Sequence, residues 1–423
     1  MVLRRSRHIA SLNGNGARRE WGDDPQFGET HNHFIDRGEV VVSGDYTRAD
    51  FLFKIRKAVR YLGLYGLSRT LVKIKGQYHI KATAGFNGPR WVNPGCKDPD
   101  AASRKVAIIG CGNYSFSNIA YYLAKRDPGF LRITFDIQKS RSRSLCKAYG
   151  GSYAVADWKE ITEDPRVKIV FIASNHASHA EYAEACIEAG KHVHIEKPHV
   201  VNQEQLDRLL AAMRRYPQSK VFLGFNRPRS RLFRELQEVL ASEPGPLMVN
   251  WFIAGHEISD DHWYFDEKEG GRVLGNLSHW TDLTLHLVTL EKAFPCTIIP
   301  ATPAGAKSDF VVSIIFADQS CASITFSAKG PTFEGVREVL NVHKGNVLAN
   351  LADFQTLACE VIEKKAKKKL RFRDHGHEAN IVHSVAASEE DEGGEAASYV
   401  DATARFFLAI RQAIDCGEKV VLS

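Results

Sequence analysis

Glu196-Lys197-Pro198 closes an apolar strand pattern about 85 residues after a glycine-rich turn that starts at Gly110. A lysine ammonium is strongly hydrated in the open, and its pKa falls when it is desolvated or set beside other positive charge. A lysine at such a strand end, next to a bound dinucleotide, is placed to trade protons near neutral pH.

The dinucleotide is read from the turn. Lys105-Val106-Ala107-Ile108-Ile109 is a buried-strand pattern that runs through Gly110-Cys111-Gly112-Asn113-Tyr114-Ser115 into a helix pattern from Phe116 to Lys125. Gly110 permits the tight turn, Gly112 lets the backbone approach a pyrophosphate, and the helix N-terminus offers unpaired N–H groups at the positive end of its dipole. Ser115 replaces the third glycine of the fingerprint, one small residue for another. Leu131 to Phe135 is the next strand, and Asp136 ends it, 26 positions after Gly110, where a carboxylate accepts from the adenine ribose. That favours NAD. Lys139, Arg141 and Arg143 follow at once and suit a 2′-phosphate, so NADP stays open.

The elements that position these residues alternate as a doubly wound sheet requires. Lys168 to Ala173 reads as a strand, His176 to Gly190 as a helix, His192 to Ile195 as a strand, Asn202 to Arg215 as a helix opened by an Asn202/Gln205 capping pair, and Lys220 to Gly224 as a strand. Ligands of such sheets sit beyond the carboxyl ends of the strands. Three motifs meet there: the Gly110 turn, Ser174-Asn175-His176 and Glu196-Lys197-Pro198.

The glycine turn, Ser174-Asn175 with His179 four residues on, Glu196-Lys197-Pro198, Gly224-Phe225-Asn226-Arg227, and Gly270-Gly271 followed by His279 and Asp282 together resemble the glucose-fructose oxidoreductase and inositol dehydrogenase family, Gfo/Idh/MocA. The resemblance covers roughly residues 104 to 423. It implies an α/β fold: an N-terminal Rossmann doubly wound parallel sheet, then an α+β domain whose large sheet is mostly antiparallel, with helices on one face. Pro246 to Ile253, Asp309 to Phe316, Ala322 to Ala328 and Glu338 to His343 read as its strands, with Asp318-Gln319-Ser320 as a hairpin turn.

By the same resemblance the family's catalytic lysine falls on Lys197 and its catalytic histidine on His279, whereas the aspartate four residues before that histidine falls on Gly275. Positions 275, 279, 282 and 286 share one face of an ideal helix, so Asp282 is expected to orient the imidazole in place of the missing carboxylate. Asn276 offers a hydrogen bond to a substrate hydroxyl but no base. Ser174, Asn175, His179, Glu196 and Pro198 are expected, with Lys197, to position the cofactor. Arg227, His262 and Trp263 are expected to touch substrate, the indole lying against a sugar ring. The chemistry implied is hydride transfer between a nicotinamide and a carbinol or its ketone on a sugar, cyclitol or nucleotide-sugar derivative, with Lys197 as acid/base. Two other readings stand beside it: a dinucleotide-binding regulator or structural protein without turnover, motivated by Gly275, and an enzyme that uses NAD transiently in sugar epimerisation or elimination.

Plainer readings suit other residues. His192 and His194 alternate on a strand with no third ligand at fitting spacing, so they read as packing or cofactor-edge residues and no metal site is assigned. His31/His33 and His375/His377 read as loop residues, Glu389 to Glu392 as a solvated loop, and Lys364 to Lys369 as an exposed basic hairpin.

Residues 1–35 read as a flexible tail, 36–103 as a basic extension and linker, 104–226 as the dinucleotide domain, and 227–423 as the substrate-binding and oligomerisation domain. Within the extension, Phe51 to Lys81 has no acidic residue and the spacing of amphipathic basic helices, and Gly85 to Asp100 reads as linker. The extension is assigned to oligomerisation or to covering substrate. Eight scattered cysteines without a Cys-x-x-Cys pair argue against a disulfide framework, so a reducing cytoplasm is expected. A net charge of +6 over 423 residues does not call for nucleic acid, and no apolar run reaches membrane-spanning length. A homo-oligomer formed through the C-terminal sheet is expected.

Overall fold

The computed structural model describes residues 51–259, 261–329 and 333–423; the tail expected at 1–35, with His31 and His33, lies outside them. The basic extension folds as two helices, α1 (Phe51–Tyr65) and α2 (Leu67–His79). Their joint is Gly66, with φ 80°, where a Cβ would stand 3.2 Å from the Phe372 ring. Only glycine takes that backbone without strain, so the joint is built for a close approach.

The first sheet has seven strands in the order β1-β4-β3-β2-β5-β6-β7. They are β1 (Arg90–Val92), β2 (Val106–Ile109), β3 (Leu131–Phe135), β4 (Tyr153–Val155), β5 (Ile169–Ile172), β6 (His192–Ile195) and β7 (Val221–Leu223). From β2 to β7 all pairings are parallel. The crossovers are α3 (Ala120–Arg126, preceded by a π-helical turn at Ser115–Ile119), α4 (Lys139–Ala148), α5 (Lys159–Glu163), α6 (His179–Glu188) and α7 (Gln203–Arg215). Asn202 caps α7 as its spacing to Gln205 predicts, Oδ1 accepting from the Gln205 N–H at 2.9 Å. β2, β5 and β6 are buried throughout, the pattern of strands covered on both faces.

β1 corrects one expectation. It lies in the segment read as linker, yet it pairs antiparallel with β4, extended by Ala156 N–H donating to Pro89 O and Asn93 N–H to Ser152 O. An open sheet edge presents unpaired backbone groups, and the extended segment satisfies them. The dinucleotide domain therefore starts before residue 104.

The second sheet has nine strands in the order β15-β14-β13-β12-β8-β11-β10-β9-β16. After α8 (Arg231–Ala241) come β8 (Met248–Ala254), α9 (Ser278–Val288), α10 (Leu290–Ala293), β9 (Cys296–Pro300), β10 (Phe310–Ile315) and β11 (Cys321–Ser327). Then follow β12 (Arg337–Lys344), β13 (Val347–Ala352), β14 (Thr356–Val361), β15 (Lys364–Lys369), α11 (His377–Glu389), α12 (Ala397–Cys416) and β16 (Val420–Leu422). Only β8 and β11 pair parallel. Burial alternates along β8, with Val249, Trp251 and Ile253 facing the core beneath the helices. The lysine-rich β15 is an exposed edge, the outer strand of the hairpin expected there. Helix α11 returns to the first domain, where Ile381 and Val385 share a core with Phe171 and Phe222.

Candidate functional site

The glycine turn is shaped by its neighbours. At Gly110 φ is 85°, and a Cβ would fall 2.5 Å from the Ala173 carbonyl oxygen at the end of β5, so the crossing of turn and strand excludes any side chain. At Gly112 a Cβ would meet nothing within 4 Å, which leaves that backbone open to a ligand. The Ser115 hydroxyl donates to Gly110 O at 2.5 Å, closing the turn where the fingerprint has its third glycine. The N–H groups of Gly112, Asn113 and Tyr114 have no acceptor among the described residues, as expected of a helix start that holds a phosphate. The Asp136 carboxylate sits at the turn, accepting from Cys111 N–H and Gln138 N–H, both at 2.7 Å. Beside it Ile137 is 84% exposed, an apolar platform beyond the strand end. These residues fit a dinucleotide.

The basic trio after Asp136 is less free than expected. Lys139 lies over the Phe86 ring, and Arg143 donates to Gly85 O at 2.5 Å and stacks on Trp91. The linker that leads into β1 thus engages two of the three cations assigned to a 2′-phosphate.

The two strand-end motifs are tied by His179, which lies between Pro198 O at 2.8 Å and Ser174 O at 3.1 Å and is 1% exposed. It holds the ends of β5 and β6 in register and does not itself face the crevice. Asn175 donates to Glu269 Oε1 at 2.7 Å and accepts from the Ser178 hydroxyl at 2.7 Å. Glu196 is buried against Gly224, where a Cβ would come 2.7 Å from its carboxylate, and Pro198 follows a cis peptide. Burial first, and then Glu196, push the Tyr114 phenol well above its ordinary pKa. Tyr114 therefore stays neutral at the mouth of the turn, its oxygen 3.1 Å from Asn226 Nδ2.

Lys197 donates to the Gly275 carbonyl at 2.5 Å. His279 lies in the same field: burial, then Arg227 and Lys197, push its pKa well below the usual histidine range. It is a neutral imidazole whose Nδ1 is buried without a partner. The space a carboxylate at 275 would need is filled, because a Cβ there would stand 2.6 Å from His176 Cε1 and 2.8 Å from Tyr264 Cε2. His176 is itself kept neutral by burial, and its Nδ1 lies 2.9 Å from Glu269 O.

Asp282 does not orient His279. Its Oδ1 accepts from Tyr399 and Thr403 on α12, and its other oxygen faces His286 at 3.7 Å. Tyr399 and Thr403 draw the carboxylate to α12, while a separate π-helical turn at Val273–Leu277, where the Ser278 N–H reaches back to Val273 O, precedes α9. That turn rotates 275 off the face shared by 279 and 282, which keep their i,i+3 relation within α9.

Of the expected substrate contacts, only Arg227 lines the nearby cavity, and its guanidinium is bound to Glu338 through Nε (2.9 Å) and one terminal nitrogen (3.1 Å). Burial works to raise the Glu338 pKa, but Arg227 and His375 hold it at about 2. Trp263 packs instead against His176, the indole 4.8 Å from that ring, His262 lies 5.6 Å from the indole, and Asn276 has a buried Oδ1 without a partner.

The cavity, of about 750 Å³, lies between α1–α2, the start of α3 and the second domain. His279, Tyr114, His375 and His377 open onto it, so the two histidines read as loop residues belong to its wall. The signal that was available is the density of charged and aromatic residues from Arg371 to Glu378 around Gly376, whose φ is 76°.

A dinucleotide turn, a Lys197–His279 pair and a cavity between a doubly wound domain and a second sheet define a two-domain dinucleotide-binding protein. Residues 104–225 match the model described as oxidoreductase family, NAD-binding Rossmann fold. Over these residues the chain is similar to the Gfo/Idh/MocA oxidoreductases. The chain is similar to myo-inositol 2-dehydrogenase of Thermotoga maritima, 32% identical over 136 residues, which are 32% of this chain and 40% of that protein. It is 28% identical over 181 residues to scyllo-inositol 2-dehydrogenase (NADP(+)) IolW of Bacillus subtilis, covering 41% of this chain and 49% of that one. The match thus spans less than half the length of each of these relatives.

Among solved structures, a probable dehydrogenase from Thermotoga maritima aligns with a TM-score of 0.61 at 19% identity over 75% of this chain and 98% of its own. KijD10, a 3-ketoreductase from Actinomadura kijaniata solved with NADP and TDP-benzene, aligns with a TM-score of 0.61 at 15% identity over 73% of this chain and 97% of its own. At these identities the likeness establishes the fold.

Proposed function

We propose that the protein is an NAD(P)-dependent dehydrogenase or reductase acting on a CH–OH group of a sugar, cyclitol or sugar derivative. The observation that carries this reading is that His279, its Nδ1 buried without a partner, lines one cavity with Tyr114 of the glycine turn. A bound nicotinamide dinucleotide would supply or accept the hydride, held by Gly112, Asn113 and Tyr114 at the turn and by Asp136 at the ribose. Lys197 gives the proton to the carbonyl oxygen in reduction, and His279, a neutral imidazole, accepts a proton in the reverse direction. His176 and Tyr264 take the place of the carboxylate missing at 275 and keep water out of that slot.

The second reading, a dinucleotide binder without turnover, is favoured by the Lys197 bond to Gly275 O, which engages the amine with backbone. Replacing Lys197 with alanine separates the two: turnover should fall by about 10²-fold while NADH affinity, read by fluorescence titration, stays within a small factor. Full activity in the variant removes Lys197 from the proton chemistry. The reading places the protein in the cytoplasm, where its eight unpaired cysteines stay reduced. It also assembles copies of the chain through the outer face of the second sheet.

A further inference from the structure

The cavity beside His279 holds more positive charge than its own acids neutralise. Lys125 pairs with Glu378, Arg227 with Glu338, and Arg373 with Glu334 and Asp353. Asp374 accepts from the backbone N–H groups of Arg231 and Gly376. Among the described residues no carboxylate pairs with Arg69, Lys73 or Arg371, all three of which line the cavity.

Arg69 and Lys73 are held where they are. Arg69 donates to Ser117 O and to Asn118 Oδ1 (2.7 Å) and lies over the rings of Tyr121 and Tyr122, which fixes its charge at the cavity wall and leaves further N–H donors for a ligand. Lys73 stands one turn further along α2, half-buried, and burial together with Arg69 brings its pKa down to about 7. Two like charges one turn apart repel, and a half-buried ammonium has lost part of its hydration. An anion in the cavity removes both costs. Helix α2 cannot swing away to relieve them, because it is fastened at both ends: Ser68 to the Tyr121 hydroxyl at 2.5 Å, and His79 to Cys111 O at 2.7 Å with its ring 4.4 Å from Phe116.

We propose that the substrate taken by this cavity carries a phosphoryl group, seated among Arg69, Lys73 and Arg371, so that the extension selects a phosphorylated sugar or cyclitol whose carbinol faces Lys197 and His279. The class of substrate rests on the dehydrogenase reading; the anion site itself does not. A phosphoryl group carries close to two charges at neutral pH and three acceptor oxygens, which match one fixed guanidinium, one ammonium and one exposed guanidinium better than a single carboxylate does. The volume of about 750 Å³ is within the range of ligand sites.

The test uses the full chain and the variant Lys73→Met/Arg371→Gln, with Lys73→Arg as the conservative control. Thermal midpoints are titrated with glucose 6-phosphate, inorganic pyrophosphate, glucose, and sodium chloride of matched ionic strength, with and without saturating NADH. Both phosphate probes should stabilise the wild type and Lys73→Arg beyond the salt control, glucose should not match them, and the double variant should need about tenfold more of each phosphate probe. Pyrophosphate also suits the glycine turn, which the variants leave intact, so the variant-sensitive part of its effect is the part that counts. No phosphate effect beyond salt, or an equal effect in the double variant, overturns the proposal. NADH binding without a variant-sensitive phosphate effect sinks the anion site alone. A variant-sensitive phosphate effect without NADH binding sinks the dehydrogenase reading alone.

Discussion

At the scale of single residues, the site turns on what stands around Gly275. A carboxylate at that position would have no room against His176 and Tyr264, so the departure from the family pattern is matched by its neighbours. Asp282 has left the site for α12. Buried against Tyr399 and Thr403, it titrates near 7, because burial raises its pKa further than those two donors lower it. An unfolded aspartate titrates near 3.9, so between about 4 and 7 the folded chain binds the extra proton, and stability falls as pH rises through that window. Asp282→Asn should therefore raise the thermal midpoint at pH 8, by roughly 2–4 kcal/mol in stability, with a smaller gain at pH 5. A variant less stable than wild type at pH 8 would mean that the carboxylate is held ionised. Lys197, His279 and the glycine turn were legible in the sequence because motif and strand end coincide. The orientation of Asp282 was not, because its donors Tyr399 and Thr403 come from α12, far along the chain, and no local spacing announces them.

At the scale of elements, α1 and α2 join the two domains. Arg60 pairs with Glu334, Phe53 meets the Phe333 ring edge-on at 5.5 Å, and Arg373 N–H donates to Leu64 O at 2.9 Å, all on the second domain. Helix α2 is fastened to the first. The basic spacing of 51–81 made these helices readable, while their docking was not, since Arg69 and Lys73 line a cavity shared with both domains. Gly66→Val forces a β-branched residue into positive φ against Phe372 and should cost at least about 1–2 kcal/mol. Limited proteolysis is the check: cleavage between α1 and α2 should quicken while NADH affinity holds, and unchanged cleavage would mean that the joint is not under that constraint.

At the scale of the whole molecule, the second sheet presents an exposed apolar row among the described residues. Met248, Phe252, Ile315 and Leu348 are 42–59% exposed and, by register, project on the same side. An apolar row of this kind is usually covered by another chain. Phe252→Asp/Leu348→Glu should convert an oligomer to monomer in light scattering, and an unchanged mass would place the interface elsewhere. The alternating strand patterns made this sheet legible in part. β9, β13, β14 and β16 were not assigned as its strands, and the lysine-rich β15 was read only as an exposed hairpin, because such segments carry a weak period-2 signal.

The central claim, that Lys197 and His279 move the proton of a hydride transfer, is tested most directly by NAD⁺ reduction at 340 nm. Wild type and Lys197→Ala would be compared across sugars, cyclitols and their phosphates, with NADH binding measured in parallel. The account predicts turnover by the wild type on at least one compound, a fall of about 10²-fold in Lys197→Ala, and NADH affinity nearly unchanged. NADH binding with no turnover on any of them, or turnover that survives the loss of Lys197, would contradict it.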